Sequence, residues 1–203
     1  MKKLKLRDLS YFFIGSSFLT LGVRIIGISP FGFAFSDAII IKISQILSIP
    51  MVLSSIILGI FTLIVEAIVS KKKMPQFSCL ITSFVLGFFV DFWFFLIPGY
   101  KIEDLFLGLI VFLIGIFVLS IGVAIYLQPK YPPHPNDLLF VSISKRFKFS
   151  IFKSKILMDS MHAVVAILLL APIGIGSIFN TLCLGYFINI LYKFFEKKYN
   201  KIL

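Results

Sequence analysis

Ionisable side chains are scarce inside the apolar runs of this chain, and those that occur there could do chemistry. A charge placed in a bilayer costs about 3 kcal/mol or more, so each needs a partner or a purpose. Arg24 stands near the end of the first run and Asp91 in the outer part of the third. Their matched depths predict an Arg24–Asp91 ion pair, which would be structural or would gate a substrate. Glu66 lies in the second run, and Lys155, Asp159 and His162 in the fifth. Spacings of four and three put the last three on one helical face. A carboxylate beside a histidine can relay protons near neutral pH; alternatively, Lys155 reaches toward the interface and neutralises Asp159. Asn180 and Asn189, in the sixth run, fit hydrogen bonds between helices or to a ligand. In the turn "APIGIGS" at 171–177, Gly174 and Gly176 permit tight backbone and leave N–H groups open to an anion or a carbonyl. The turn lacks the spacing of a phosphate loop. The sequence has neither a metal-ligand cluster nor a nucleophile beside a base, so an enzyme is not expected, and neither is a metal or other cofactor.

The elements that must carry these residues follow from composition. Of 203 residues, 59% are hydrophobic, and the mean hydropathy is +1.05. One soluble core cannot hide that much apolar surface. A hydrocarbon layer about 30 Å thick needs about 20 apolar residues per helix. Six stretches qualify, over 9–28, 50–70, 76–97, 105–127, 155–172 and 176–194. They are apolar on all sides, without the alternation a membrane barrel requires. The expected fold is an all-α integral membrane protein, a single membrane domain over 1–203 with six transmembrane helices.

The formal net charge is +11, but its distribution speaks against nucleic acid. Lys and Arg cluster in "MKKLKLR", in "KKK" at 71–73, in "SKRFKFSIFKSK" at 144–155 and in "YKFFEKKYNK". Six crossings from an inward amino terminus put all four clusters on one side, as the positive-inside rule requires. Both termini are then cytoplasmic, and the basic segments face anionic lipid head groups. The first apolar run resembles a secretory signal but has no small-residue cleavage site, since Arg24 and Ile25 stand there, so it is expected to remain as the first helix. Cys79 and Cys183 fall in apolar spans and serve as packing residues.

The chain also repeats. Residue n matches residue n+100 at Phe12 and Phe112, Gly15 and Gly115, Gly22 and Gly122, and Asp37 and Asp137; with a two-residue slip, Gly87 matches Gly185 and Asp91 matches Asn189. Two halves, about 9–97 and 105–194, each with three crossings, must enter the bilayer from opposite faces, which predicts a 3+3 inverted-topology repeat. Gly15 and Gly22, like Gly115 and Gly122, line one helical face and suggest that the first and fourth spans pack closely. After each of those spans comes a segment opening at a proline, Pro30 in the first half, and too short to cross. These segments are expected to be re-entrant or interfacial, with Asp37 and Asp137 as N-caps or, alternatively, as ion ligands.

At "GVRIIGISPFGFAFSD", "LGFFVDFWF" and "PIGIGSIFNTLCLGYF" the chain resembles the YczE/YitT-like group of bacterial multi-pass membrane proteins. Ser177 replaces that group's usual threonine. The resemblance implies a multi-pass protein of the bacterial cytoplasmic membrane and supplies no catalytic residues. The leading expectation is a small permease with an unknown small-molecule substrate held between the two halves. A ligand-capture or assembly subunit acting with partner membrane proteins, and a regulatory membrane protein that transports nothing, are the competing readings. A bundle this thin for a lone transporter also suggests a homodimer.

Overall fold

The computed structural model describes residues 6–129 and 131–201, with the side chains of Ile151, Phe152, Asn189 and Lys201 outside that description. The first part of the expected amino-terminal basic cluster, residues 1–5, also lies outside it. Among the described residues there are eight helices and no strands: α1 (Leu6–Ile28), α2 (Phe35–Leu47), α3 (Met51–Ser70), α4 (Cys79–Leu96), α5 (Leu105–Tyr126), α6 (Pro135–Phe147), α7 (Ile151–Leu168) and α8 (Ile175–Lys201). Of the described helices, α1, α3, α4, α5 and α8 are long and apolar enough to cross a membrane. The fifth expected span corresponds to α7, which starts four residues earlier than expected. Ser150 caps it by accepting the Lys153 N–H at 3.2 Å, so the helix takes in Lys153 as well as Lys155, where the expected span began. These two lysines and Asp159 set it apart from the five apolar helices.

The outer surface suits lipid. Phe95 is 88% exposed, Leu168 77% and Phe106 74%. Lipid tails are as apolar as these side chains, so the helices must associate by close packing and hydrogen bonds and not by escape from solvent. The α1–α5 crossing is the closest contact of this kind. Gly15 lies against the backbone of Tyr126, Leu19 against Gly122, Gly22 against Leu119 and Ile26 against Gly115. Numbers rise on one helix as they fall on the other, so α1 and α5 run antiparallel. A methyl group on any of these four glycines would strike main chain. Phe12, Val23, Ile26, Phe112, Ile116 and Leu119 fill the seam around them.

Around this pair the remaining helices interlock. The thirteen-residue helices α2 and α6 pack across the halves, α2 against α7 and α6 against α3, as well as against their own neighbours α3 and α7. Each ends at a left-handed residue, Ser48 (φ 52°) and Lys148 (φ 55°). Each holds the next corner with a serine, Ser44 Oγ donating to Ile49 O at 2.6 Å and Ser144 Oγ to Phe149 O at 2.8 Å. The same corner is thus built twice, a hundred residues apart.

Candidate functional site

The approach to α2 is fixed by the start of α8. Gly176 N–H donates to Phe31 O at 2.9 Å, Phe33 N–H to Pro172 O at 3.3 Å, and Ser177 Oγ to Phe33 O at 2.5 Å. Gly32, at φ +87°, sits against Gly174, where neither could carry a side chain. The glycine turn expected to offer N–H groups to an anion therefore spends them within the protein, Gly174 N–H on Ser177 Oγ at 3.0 Å and Gly176 N–H on Phe31. Pro30 lies above Gly108 of α5. With the approach so held, α2 begins at Phe35 and Asp37 occupies its third position.

The matching approach to α6 is held by Thr82 of α4, whose hydroxyl donates to Pro132 O at 2.6 Å. His134 is the N-cap and Pro135 the first helical residue, the place where a missing N–H costs nothing. Asp37 and Asp137 are consequently not N-caps, contrary to the sequence expectation. Each helix starts two residues before its aspartate, with Ala34 and His134 at the caps. Asp137 instead accepts a hydrogen bond from the Tyr126 hydroxyl. Asp37 makes no hydrogen bond or ion pair among the described residues.

Both aspartates line a cavity of about 890 Å³ to which all eight helices contribute. Its lining includes the polar Asp37, His134, Asn136, Asp137, Lys155 and Asp159 and the aliphatic Val23, Leu86, Leu119, Val123 and Leu184. Many lining residues occur in partners a hundred apart: Leu19 with Leu119, Val23 with Val123, Ser36 with Asn136, Asp37 with Asp137, Ile40 with Phe140, Ser55 with Lys155. On the last helix of each half the interval is 98, as for Leu86 with Leu184 and Gly87 with Gly185.

Lys155 Nζ and Asp159 Oδ2 form an ion pair at 2.6 Å. Desolvation pushes the Asp37 carboxyl up to about 7; Lys155 opposes that rise and Asp159 adds to it. Asp137 is raised too, chiefly by desolvation, with the Tyr126 hydroxyl and Lys155 working the other way. His134 is pushed down to about 4 by desolvation and by His162, so it is neutral and its Nδ1 accepts the Asn136 N–H at 3.4 Å. Asn180 reaches the cavity from α8 at 1% exposure, with neither its Nδ2 nor its Oδ1 partnered.

Other expected site residues lie elsewhere. The Arg24–Asp91 ion pair is not formed. Arg24 Nε donates to Ile97 O at 2.9 Å and Nη2 to Pro98 O at 2.6 Å, with the guanidinium 4.6 Å from the Phe94 ring. Asp91 accepts the N–H groups of Met51 and Val52, both at 2.9 Å. Matched depth left the two charges free to find helix ends, where backbone groups lack partners, and each took the end of suitable sign. Glu66 is fully buried, with Oε1 accepting from Ser142 Oγ at 2.6 Å and Lys72 Nζ at 2.9 Å and Oε2 without a partner. His162 is buried with Nδ1 unpartnered and makes no hydrogen bond to Asp159. Asn189 belongs to α8, but its side chain lies outside the described residues. Tyr126, His134 and Asn136 did not stand out in the sequence. Their signal is positional, because Asn136 falls a hundred residues after Ser36.

Comparison with known proteins places this architecture. The chain is 34% identical over 181 residues to the uncharacterized protein YyaS of Bacillus subtilis (strain 168), spanning 86% of this chain and 87% of that one. It is 24% identical over 182 residues to the uncharacterized membrane protein YczE of the same organism, spanning 87% and 81%. No solved structure matches it. With YczE among its relatives, apolar helices over most of its length and a family pattern covering residues 6–193, the chain is a multi-pass membrane protein that belongs to the family of unknown function DUF6198.

Proposed function

We propose that the protein is a small permease-like protein of the bacterial cytoplasmic membrane. Two oppositely oriented copies of one unit, α1–α4 and α5–α8, hold a substrate between them. Rocking of one copy against the other then opens the cavity to each face in turn. The observation that carries this reading is the cavity itself, lined by every described helix and in partners 100 residues apart, or 98 on the last helix of each half. The antiparallel α1–α5 crossing, the duplicated corners at Ser48 and Lys148, and the exchange of α2 and α6 across the halves support the inverted repeat. In this arrangement α7 crosses as well, the fifth of six crossings along the chain, with Lys155 and Asp159 paired at the cavity. Lys71–Lys73, the 144–155 segment and the end of α8 then face the cytoplasm together with both termini.

The test is access to the cavity from each side. With Cys79 and Cys183 replaced by Ala, a single cysteine at Ser36 is challenged with a membrane-impermeant maleimide in right-side-out and inverted vesicles. Labelling from both faces is expected. Labelling from one face only would replace transport with ligand capture.

A further inference from the structure

Across the cavity the charges do not balance. Its lining holds three carboxylates, Asp37, Asp137 and Asp159, against a single ammonium, Lys155. Lys155 is committed to Asp159 at 2.6 Å, and His134 is neutral. Two carboxylates are left over. Asp137 has one donor, the Tyr126 hydroxyl, and Asp37 has none. On the lining of the same cavity Asn180, at 1% exposure, presents an amide whose donor and acceptor are both idle. Buried polar atoms are nearly always hydrogen-bonded, so an idle amide aimed into a cavity is independent of the carboxylates as a sign of a ligand.

The missing partner must donate hydrogen bonds and carry positive charge. An anion would disfavour the ionised form of either aspartate, and a neutral solute would leave that form uncompensated in a poorly solvated place, whereas a cation stabilises it and displaces the proton that desolvation otherwise keeps on Asp37. A bare metal ion is a poor fit, since no group of three His, Cys, Asp or Glu among the described residues could hold one. It would also make no use of the apolar wall of Val23, Leu86, Leu119, Val123 and Leu184. About 890 Å³ lies in the range of cavities that enclose whole organic molecules.

We propose that the cavity binds a small organic cation with an ammonium head and an apolar body, the head between Asp37, Asp137 and the Asn180 carbonyl, the body along the aliphatic wall. This rests on the permease reading for its transport aspect, but the site stands or falls on binding alone. The ammonium N–H groups donate to the carboxylates and to Asn180 Oδ1.

The test uses 2-phenylethylammonium as probe, with 2-phenylethanol and 3-phenylpropanoate as neutral and anionic matches, titrated calorimetrically into the full chain in nanodiscs. The ammonium is expected to bind at least about tenfold more tightly than either match, the loss of one charged hydrogen bond being worth about that factor. Asp37→Asn is expected to lose about tenfold for the ammonium alone, and Glu103→Gln, at an exposed position, to lose nothing. Equal affinity for the three probes in the unaltered protein, which needs no variant to fold, overturns the assignment. So does unchanged ammonium binding in folded Asp37→Asn. Selective binding without uptake of the probe into proteoliposomes leaves the site and removes transport. Equal affinity for the three probes together with protein-dependent uptake of the carboxylate removes the site and leaves transport.

Discussion

Asp91 of α4 closes the amino terminus of α3, accepting the Met51 N–H at 2.9 Å and the Val52 N–H at the same distance. Two of the four N–H groups that every helix leaves open are thereby satisfied from a neighbouring helix, and the negative charge sits at the positive end of the α3 dipole. Arg24 does the converse at the end of α4, with Ile97 O and Pro98 O. Asp91→Ala should lower stability by about 1–2 kcal/mol, as loss of a helix cap does. Since the two charges serve different helix ends, Arg24→Met and Asp91→Ala should be additive to within about 0.5 kcal/mol in denaturant unfolding of the detergent-solubilised protein. A larger coupling would mean that they do pair.

The α1–α5 seam gives a second expectation. Gly122 faces the main chain of Leu19, and main chain cannot turn aside as a side chain can. Gly122→Ala should therefore separate the helices and cost about 1–3 kcal/mol, the usual penalty of overpacking. A methyl on Gly185 meets nothing within 4 Å, so Gly185→Ala is the matched control, with a melting temperature at or slightly above that of the parent because alanine favours the helix.

Glu66 sets a third. A single oxygen of this buried carboxylate takes both Ser142 Oγ and Lys72 Nζ, and Lys72 is itself 42% exposed at its side chain. Removing the cation strands the charge, whereas removing the charge does not strand an exposed lysine. Lys72→Met should cost about 1–3 kcal/mol, Glu66→Gln less, and the double variant should recover much of what Lys72→Met loses. A double variant as unstable as the sum would mean that the pair contributes through packing alone.

These particulars also mark how far the amino-acid sequence could be followed. The helical character and the apolar helices α1, α3, α4, α5 and α8 were legible because a bilayer imposes length and hydrophobicity on anything that crosses it. Asp37 and Asp137 stood out as a matched pair, but their role did not, because a two-residue difference in where a helix starts turns a cap into a third-position side chain. The Arg24–Asp91 pairing failed for a similar reason. Depth along a helix is periodic information, while the choice of partner depends on which helix end comes to lie beside the charge. Asn180 could be seen only as a polar residue in an apolar run, since whether its amide is partnered is a property of the packed helices.

Titration of Asp37 offers the fourth expectation. Its carboxyl lies at about 7 in the folded protein, against the usual carboxylate range near 4. The folded state thus holds a proton that the unfolded chain has released. Stability from this group is fully present below the ordinary carboxylate range and is lost as pH rises through about 7. The groups that face Asp37 are Lys155 and Asp159 of α7; α3, also packed on α2, carries Glu66, which is engaged by Lys72 and Ser142. His134 contributes with the opposite sign at lower pH. Its folded value, about 4, is below the ordinary value for histidine, so stability from it grows as pH rises through the interval between the two. Asp37→Asn removes one effect and leaves the other. Melting temperatures in nanodiscs between about pH 5 and pH 8 should therefore fall more steeply with pH in the parent than in Asp37→Asn, the difference accumulating up to about pH 7 and flattening beyond it. Parallel profiles would mean that the Asp37 carboxyl is ionised throughout that interval in the folded protein.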